Sequence, residues 1–362
     1  MNIDHVHFYV EDAKASCNWF INHLGFQAVA SGISSEYTYT EVIRNGSVYF
    51  VLSSPLSESS PVAQFLRQHP SGIADIAFRV ADVAAVMNRV IAQGATVLEP
   101  LQQHQQGQEY RLWGKIAAWG SLSHTLVQQS TSTQPTIPRM EAPLLALDQA
   151  QPILDTFTGI DHVVLNVATG DMERAVAWYR NTLDFQYQQT FKIQTDHSAL
   201  HSQVLVSKQG NIQFPINEPA SPNSQIQEFL DANRGPGIQH IALQTPDIVQ
   251  VIAQLRQRGL PLLPVSPNYY TQLQQRQGLS LSATQLQEIA QAQILVDWEE
   301  ATPQALLLQI FSQPIFKQPT FFFEFIERRF QAQGFGEGNF RALFEAIERE
   351  QQKRGSLGEM GR

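Results

Sequence analysis

The sequence predicts an α+β protein of two tandem, homologous domains, and three observations carry that prediction. Residues 3–28 read IDHVHFYVEDAKASCNWFINHLGFQA and residues 160–187 read IDHVVLNVATGDMERAVAWYRNTLDFQY. Both begin Ile-Asp-His-Val, pass an acidic turn, enter an amphipathic stretch with an aromatic pair (Trp19-Phe20; Trp178-Tyr179) and reach a Phe after Leu-Gly or Leu-Asp. A second pair agrees: GIADIAFRVADVAAVMNRVIAQGA (72–95) and GIQHIALQTPDIVQVIAQLRQRGL (237–260). Each is an alternating apolar run, an Asp at a helix start, a helical apolar pattern and a Gly stop. The third observation is order: strand, helix and several strands run twice in each half. A repeat of that size is a structural unit copied along the chain. The second pair is more widely separated than the first, so the second half carries one modest insertion.

In the first half the period-two runs predict strands near 3–10, 37–43, 47–53, 72–80, 110–117 and 122–129, and the 3.6-period runs predict helices near 12–24, 60–69 and 82–93. In the second half strands are expected near 159–168, 199–207, 211–216, 237–245, 294–300, 304–311 and 320–326, with helices near 171–183, 223–233 and 247–258. Residues 128–143 are polar, Pro-containing and without period, which reads as a connection between domains. The implied domains are 1–130 and 153–354, with a linker at 131–152 and a tail at 355–362. Residues 266–292 form the insertion, expected to be helical. Residues 339–354 have apolar positions at helical spacing and predict an amphipathic helix.

Composition narrows the function. The chain of 362 residues is 43% hydrophobic, enough for a sizeable core. Its 24 Lys and Arg against 33 Asp and Glu leave a net charge of −9, with no sustained basic run, which argues against nucleic acid or an anionic membrane as partner. The single Cys17 excludes a disulfide framework and any Cys-based metal site, and is expected to be a small buried hydrophobe. No stretch is long and apolar enough to span a bilayer and no secretory start is visible, so the expected location is the cytoplasm.

Three residues of the second half carry candidate chemistry: His162 in GIDHVVLNV, His240 in GIQHIALQT and Glu324 in PTFFFEFIER. A carboxylate within an apolar strand needs a partner, since burying it alone is costly. Two His and one carboxylate are the donors of the facial triad that holds non-haem Fe(II) and leaves open positions on the metal. Another reading stands beside this one: each His can be a satisfied structural residue, and Glu324 can pair with Arg328 or Arg329.

The doubled pattern resembles the vicinal-oxygen-chelate superfamily, and the second half resembles the 4-hydroxyphenylpyruvate dioxygenase family in particular. The matching pieces are GIDHVVLNV, PINEP (215–219), SQIQEFL (224–230), GPGIQHIAL (235–243), LLQIF (307–311), PTFFFEF (319–325) and GFGEGNFRALFEAIE (334–348), which cover most of 159–350. The first half matches in organisation and in no catalytic motif. The resemblance implies paired βαβββ modules, each domain an open mixed-sheet half-barrel, and a C-terminal gating helix. It implies His162, His240 and Glu324 as ligands of one Fe(II). Ser202, Asn217 and Gln225 would form a polar set around a substrate ring, with Pro215 shaping the pocket. Gln239 and Gln309 would orient substrate near the metal, and Phe311, Phe322 and Phe340 would supply aromatic walls. Asn339, Phe340 and Phe344 would lie on the gate. The implied partner is an aromatic 2-oxo acid with O2 as co-substrate and no organic cofactor. The implied reaction takes 4-hydroxyphenylpyruvate to homogentisate and CO2 by decarboxylation, ring hydroxylation and side-chain migration, feeding tyrosine breakdown or quinone and tocopherol synthesis. Assembly as a homodimer or homotetramer goes with it. Attack on the benzylic carbon would give 4-hydroxymandelate, so a hydroxymandelate synthase is the nearest rival. Extradiol ring cleavage, a glyoxalase-type isomerase and a metal-free binding protein are more distant.

Aligning the halves places His5 on His162 and Asp75 on His240, and aligning GSLSHTLVQ with TFFFEFIER places His124 on Glu324. His5, Asp75 and His124 are thereby candidates for a second metal site. His7 and Glu11 read as surface groups.

Overall fold

The computed structural model describes residues 1–35, 37–106, 109–129, 155–194, 198–210, 212–336, 338–339, 342, 344–347 and 349. The expected linker, the tail and Phe340 lie outside them. The first domain contains β1 (Asn2–Tyr9), α1 (Ala13–Leu24), β2 (Gln27–Ser35), β3 (Thr38–Asn45), β4 (Val48–Pro55), α2 (Pro61–Gln68), β5 (Gly72–Arg79), α3 (Val83–Ala92), β6 (Val97–Gln106), β7 (Glu109–Ala117) and β8 (Ser123–Gln129). The second contains β9 (Gly159–Asn166), α4 (Met172–Leu183), β10 (Gln186–Gln194), β11 (Ala199–Val206), β12 (Gln213–Pro219), α5 (Gln225–Asn233), β13 (Gly237–Gln244), α6 (Ile248–Gln257), α7 (Pro267–Gln275), α8 (Ala283–Ala292), β14 (Leu295–Trp298), β15 (Leu306–Phe311) and β16 (Phe322–Arg328).

Each domain is one eight-stranded mixed sheet. The orders, β2-β3-β4-β1-β5-β8-β7-β6 and β10-β11-β12-β9-β13-β16-β15-β14, are the same path run twice, and the second sheet curls into an open half-barrel. Within each sheet two βαβββ modules meet at the antiparallel pair β1·β5 or β9·β13. The helices start where side chains can cap them: Asp12, Asp82 and Asp247 each accept a backbone N–H three residues on. The insertion is helical, as α7 and α8, and described residues 338–339, 342, 344–347 and 349 are helical too.

Three strands were not legible in the pattern: β2, β6 and β10. Two of them, β2 and β10, stand at one end of each sheet, and β6 stands at the other end of the first, so all three are edge strands. An edge strand packs on one neighbour only, and QYQQTFKIQ of β10 alternates only between exposed and partly buried positions. The apolar alternation that marks a strand is therefore weak there.

The outer faces of the two sheets share one core. Val6 and Phe8 of β1 and Phe50 and Leu52 of β4 point into it, as do Phe321, Phe323 and Phe325 of the second domain. Phe8 meets Phe321 edge-on at 5.3 Å, and Phe50 stacks on Phe323 at 5.8 Å. Gly46 marks how close the halves come: its φ is 59°, and a Cβ there would collide with the Phe157 carbonyl, which accepts the Ser47 N–H at 3.1 Å. Cys17 is buried on α1, where burial and then the Glu41 charge push its thiol up to about 12, in keeping with an inert packing role.

Candidate metal centre

His162, His240 and Glu324 lie on three adjacent strands, β9, β13 and β16. Ala242 of β13 pairs with His162 on one side and with Glu324 on the other, so these three share one row and one face. His240 is two residues before Ala242 and faces the same way. Ala242, between His162 and Glu324, is fully buried, in an apolar cluster with Leu307, Ile326 and Ala332. One donor atom from each of His162, His240 and Glu324 falls within 4.8 Å of the others, and all three residues are buried or nearly so. Glu324 Oε2 stands 3.1 Å from His162 Nε2 and 3.7 Å from His240 Nε2. Neither arginine offered as an alternative partner takes Glu324: Arg328 pairs with Asp161, and Arg329 pairs with Glu327.

Two bulges break the alternation where it matters. In β9 Ala242 pairs with His162 and Leu243 with Ile160, so Asp161 is the extra residue and turns to the same side as His162. Asp161 Oδ1 meets His162 Nδ1 at 2.9 Å, and Arg328 clamps the carboxylate from Nε at 2.6 Å and Nη2 at 2.7 Å. This fixes Nδ1 as the outer nitrogen and aims Nε2 inward, the usual support of a metal-binding His. Burial opposes the Asp161 charge, but the hydrogen bonds and charges of Arg328 and His162 hold its carboxyl well below the usual range. Burial lowers His162 too, yet Glu324 and Asp161 outweigh it and push it up to about 9. His240 is held well below its ordinary value by burial and then by the His162 charge. In β13 the second bulge, between Ile238 and His240, brings Gln239 to the cavity beside His240.

The triad opens into a cavity lined by Ser202, Pro215, Asn217, Gln225, Gln239, Gln309, Phe311 and Phe322, all expected there, and by Asn339 and Phe344 of the C-terminal helix. Ser202 and Asn217 are register partners on β11 and β12. Gln225 Oε1 is buried with no hydrogen-bond partner among the described residues, a free acceptor at the cavity wall. Phe322 stacks on the His240 ring at 4.8 Å. Gln309 is occupied within the protein: Nε2 donates to Glu324 Oε1 at 2.9 Å and to the Phe335 carbonyl at 3.0 Å, and Oε1 accepts from Asn339 at 2.9 Å. It holds the Glu324 carboxylate, where substrate was the expected partner. Sequence reasoning missed Phe191 and Ile193, because β10 was not read as a strand. It also missed Phe335, whose ring lies 5.4 Å from that of His162.

The second metal site does not form. In the first sheet Asp75 pairs with Ser123 and Phe78 with Leu126, which sets Ala77 beside Thr125. Thr125, one residue beyond His124, therefore holds the place of Glu324. A one-residue slip reverses the face. His124 points into the shared core, with Nδ1 3.0 Å from the Ile76 carbonyl and Nε2 3.1 Å from the Tyr179 hydroxyl. On the other face Asp75 takes a hydrogen bond from Ser123 at 2.7 Å and faces the Lys115 ammonium at 3.6 Å. Lys115 pairs with Thr125 where Phe311 pairs with Glu324. His7, expected at the surface, is instead part-buried against Ser53 at 2.7 Å, and burial lowers it to about 3. Glu11 is exposed as expected.

Comparison with known proteins places this geometry. The model of the Glyoxalase/Bleomycin resistance protein/Dioxygenase superfamily matches residues 2–112 and 159–276. The 4-hydroxyphenylpyruvate dioxygenase of Caenorhabditis briggsae is 36% identical over 378 residues, covering 98% of this chain and 93% of that one. The chain belongs to the 4-hydroxyphenylpyruvate dioxygenase family. An uncharacterized protein of Synechocystis is 33% identical over 352 residues, covering 96% of this chain and 97% of that one. Among solved structures, a mutant of 4-hydroxymandelate synthase from Streptomyces coelicolor superposes with a TM-score of 0.83 at 28% identity, covering 97% of this chain and 98% of that one. Membership makes the chain an oxidoreductase of the dioxygenase type. The donor set fits a divalent ion: three buried groups on one face, with His162 oriented from behind by Asp161 and Glu324 by Gln309. Among the described residues no helix is long and apolar enough to cross a membrane.

Proposed function

We propose that this enzyme binds Fe(II) through His162, His240 and Glu324 and converts 4-hydroxyphenylpyruvate and O2 to homogentisate and CO2. The observation that carries the reading is the placement of a buried two-His, one-carboxylate set in an apolar cavity that also holds a free carboxamide acceptor at Gln225. Bound there, Fe(II) would supply coordination positions for the 2-oxo acid and O2 together with the redox chemistry.

The remaining work belongs to the chain. Asp161 and Gln309 hold the ligands at fixed orientation before anything binds. None of the described lining residues is Lys or Arg, so no fixed cation competes with the metal for the 2-oxo acid carboxylate. Phe311, Phe322 and Phe335 present apolar surface to an aromatic ring and keep water from it. Ser202, Asn217 and Gln225 offer hydrogen bonds to a phenol. Pro215 and Asn217 on β12 restrict where that ring lies, which decides whether the ring carbon or the benzylic carbon is oxidised. A 2-oxo acid substrate, a cytoplasmic location and a homodimer or homotetramer all belong to this reading.

The test is O2 uptake by anaerobically Fe(II)-loaded protein given 4-hydroxyphenylpyruvate, with products separated by chromatography. One homogentisate per O2, abolished by His162→Ala, supports the reading. Hydroxymandelate as product would move the chain to the synthase activity of its structural neighbour. Bound iron without turnover would remove the substrate assignment.

A further inference from the structure

We propose that the helix α7, part of an insertion the first domain lacks, latches the start of the C-terminal helix over the cavity, with Tyr269 as its positioning residue. Two hydrogen-bonded anchors hold consecutive residues. The Tyr269 hydroxyl accepts the Val296 N–H at 2.7 Å, which ties it to β14, and its single proton faces two acceptors, Asn339 Oδ1 at 2.7 Å and the Val296 carbonyl at 2.9 Å, of which Asn339 is the nearer. One residue earlier, the Gly338 N–H donates to Asp297 Oδ2 at 2.9 Å, while Arg276, just after α7, donates to Asp297 Oδ1 at 2.7 Å. A Cβ on residue 338 would collide with both Asp297 and Arg276, so the backbone is seated directly on that pair.

The latch reaches the metal ligands. Asn339, held by Tyr269, donates to Gln309, and Gln309 donates to Glu324. A hydrogen-bonded path of four side chains therefore runs from the insertion to a member of the triad. Tyr269 packs against the buried cluster that contains Phe311 and Phe322 of the cavity wall, and Ala342 and Ile347 of the C-terminal helix pack against that same cluster. Among the described residues its neighbour Tyr270 donates only to the Ile294 carbonyl, at 3.1 Å, and is the natural control.

Hydrogen exchange on the metal-free full chain, compared for wild type, Tyr269→Phe and Tyr270→Phe, tests the latch without reference to activity. Loss of one hydrogen bond predicts about fivefold faster exchange across 338–349 in Tyr269→Phe. Tyr270→Phe should match wild type there. No change in Tyr269→Phe, or equal acceleration in both variants, overturns the latch. Should Tyr269→Phe fail to fold, Asn339→Ala removes the same bond together with the one to Gln309, and exchange there should be at least about fivefold faster. The kinetic arm rests on the function proposed above. There Tyr269→Phe should raise KM for 4-hydroxyphenylpyruvate about fivefold with kcat within about twofold, since a loosened cover weakens binding of substrate and transition state alike. A fall in kcat with unchanged KM would overturn it. If wild type shows no turnover, the function is refuted while the exchange comparison still decides the latch.

Discussion

Replacing Asp161 by asparagine removes one charge and almost no volume, and it tests the support behind the triad. The carboxylate receives two bonds from Arg328 and holds His162 Nδ1, and its side chain is 5% exposed. Breaking a buried pair by neutralising one member costs about 3–5 kcal/mol. Arg328 keeps its bonds to the Ala332 and Gly334 carbonyls, at 3.0 and 2.9 Å, so the loss should fall near the lower end, about 3 kcal/mol. Loss of the carboxylate behind a ligand His should weaken metal binding about 10–100-fold. Urea denaturation of metal-free protein reads the first quantity, and anaerobic competition against a chromophoric chelator reads the second. The internal repeat supplies the control. Asp4 touches His5 at 2.9 Å and Arg79 at 2.8 Å, the same arrangement with no triad in front of it. Arg79 is 36% exposed, so screening reduces the cost of Asp4→Asn to about 1–2 kcal/mol. Its metal affinity should equal that of wild type. Metal affinity within twofold of wild type in Asp161→Asn would refute the argument, as would equal losses in both variants.

Three further outcomes follow from the geometry. Phe323→Ala empties a fully buried site packed against Phe20 and Phe50 of the other domain, and should destabilise the whole chain by about 3–5 kcal/mol in one cooperative transition, where independent domains would unfold in two. Burial outweighs the opposing Ile76 hydrogen bond and Asp75 charge and lowers His124 to about 4 from 6.5, so its neutral form contributes stability that is complete above pH 6.5 and lost as pH falls toward 4. That window is worth about 3 kcal/mol, and His124→Gln should flatten the denaturation free energy across it; an unchanged slope would assign the dependence elsewhere. Gly336→Ala forces a Cβ into the Gln309 amide at a φ of 76°, which should displace the group that orients Glu324 and lower kcat/KM about tenfold or more, measured at saturating metal.

Much of this protein was readable in the chain itself. The duplicated Ile-Asp-His-Val segments and the paired GIADIAF and GIQHIAL runs disclosed two like domains, because each repeat must bury the same face of the same strands. The candidate ligands His162, His240 and Glu324 stood out as polar residues in apolar strands, where a buried group needs a partner. What alternation could not convey were departures from it. The bulges at Asp161 and Gln239 put neighbouring side chains on one face, and nothing in a period-two pattern signals them. The same limit misplaced His124: only the pairing of Asp75 with Ser123 shows that Thr125 occupies the third position and that His124 looks the other way. Asp161 and Arg328, like Tyr269 and Asn339, are far apart along the chain and act as pairs only because folding sets their strands and helices side by side. Local sequence determines which face a residue can take and how a strand is patterned. Register, bulges and contacts between distant segments are properties of the closed fold, and they decided which of the candidate residues became a site.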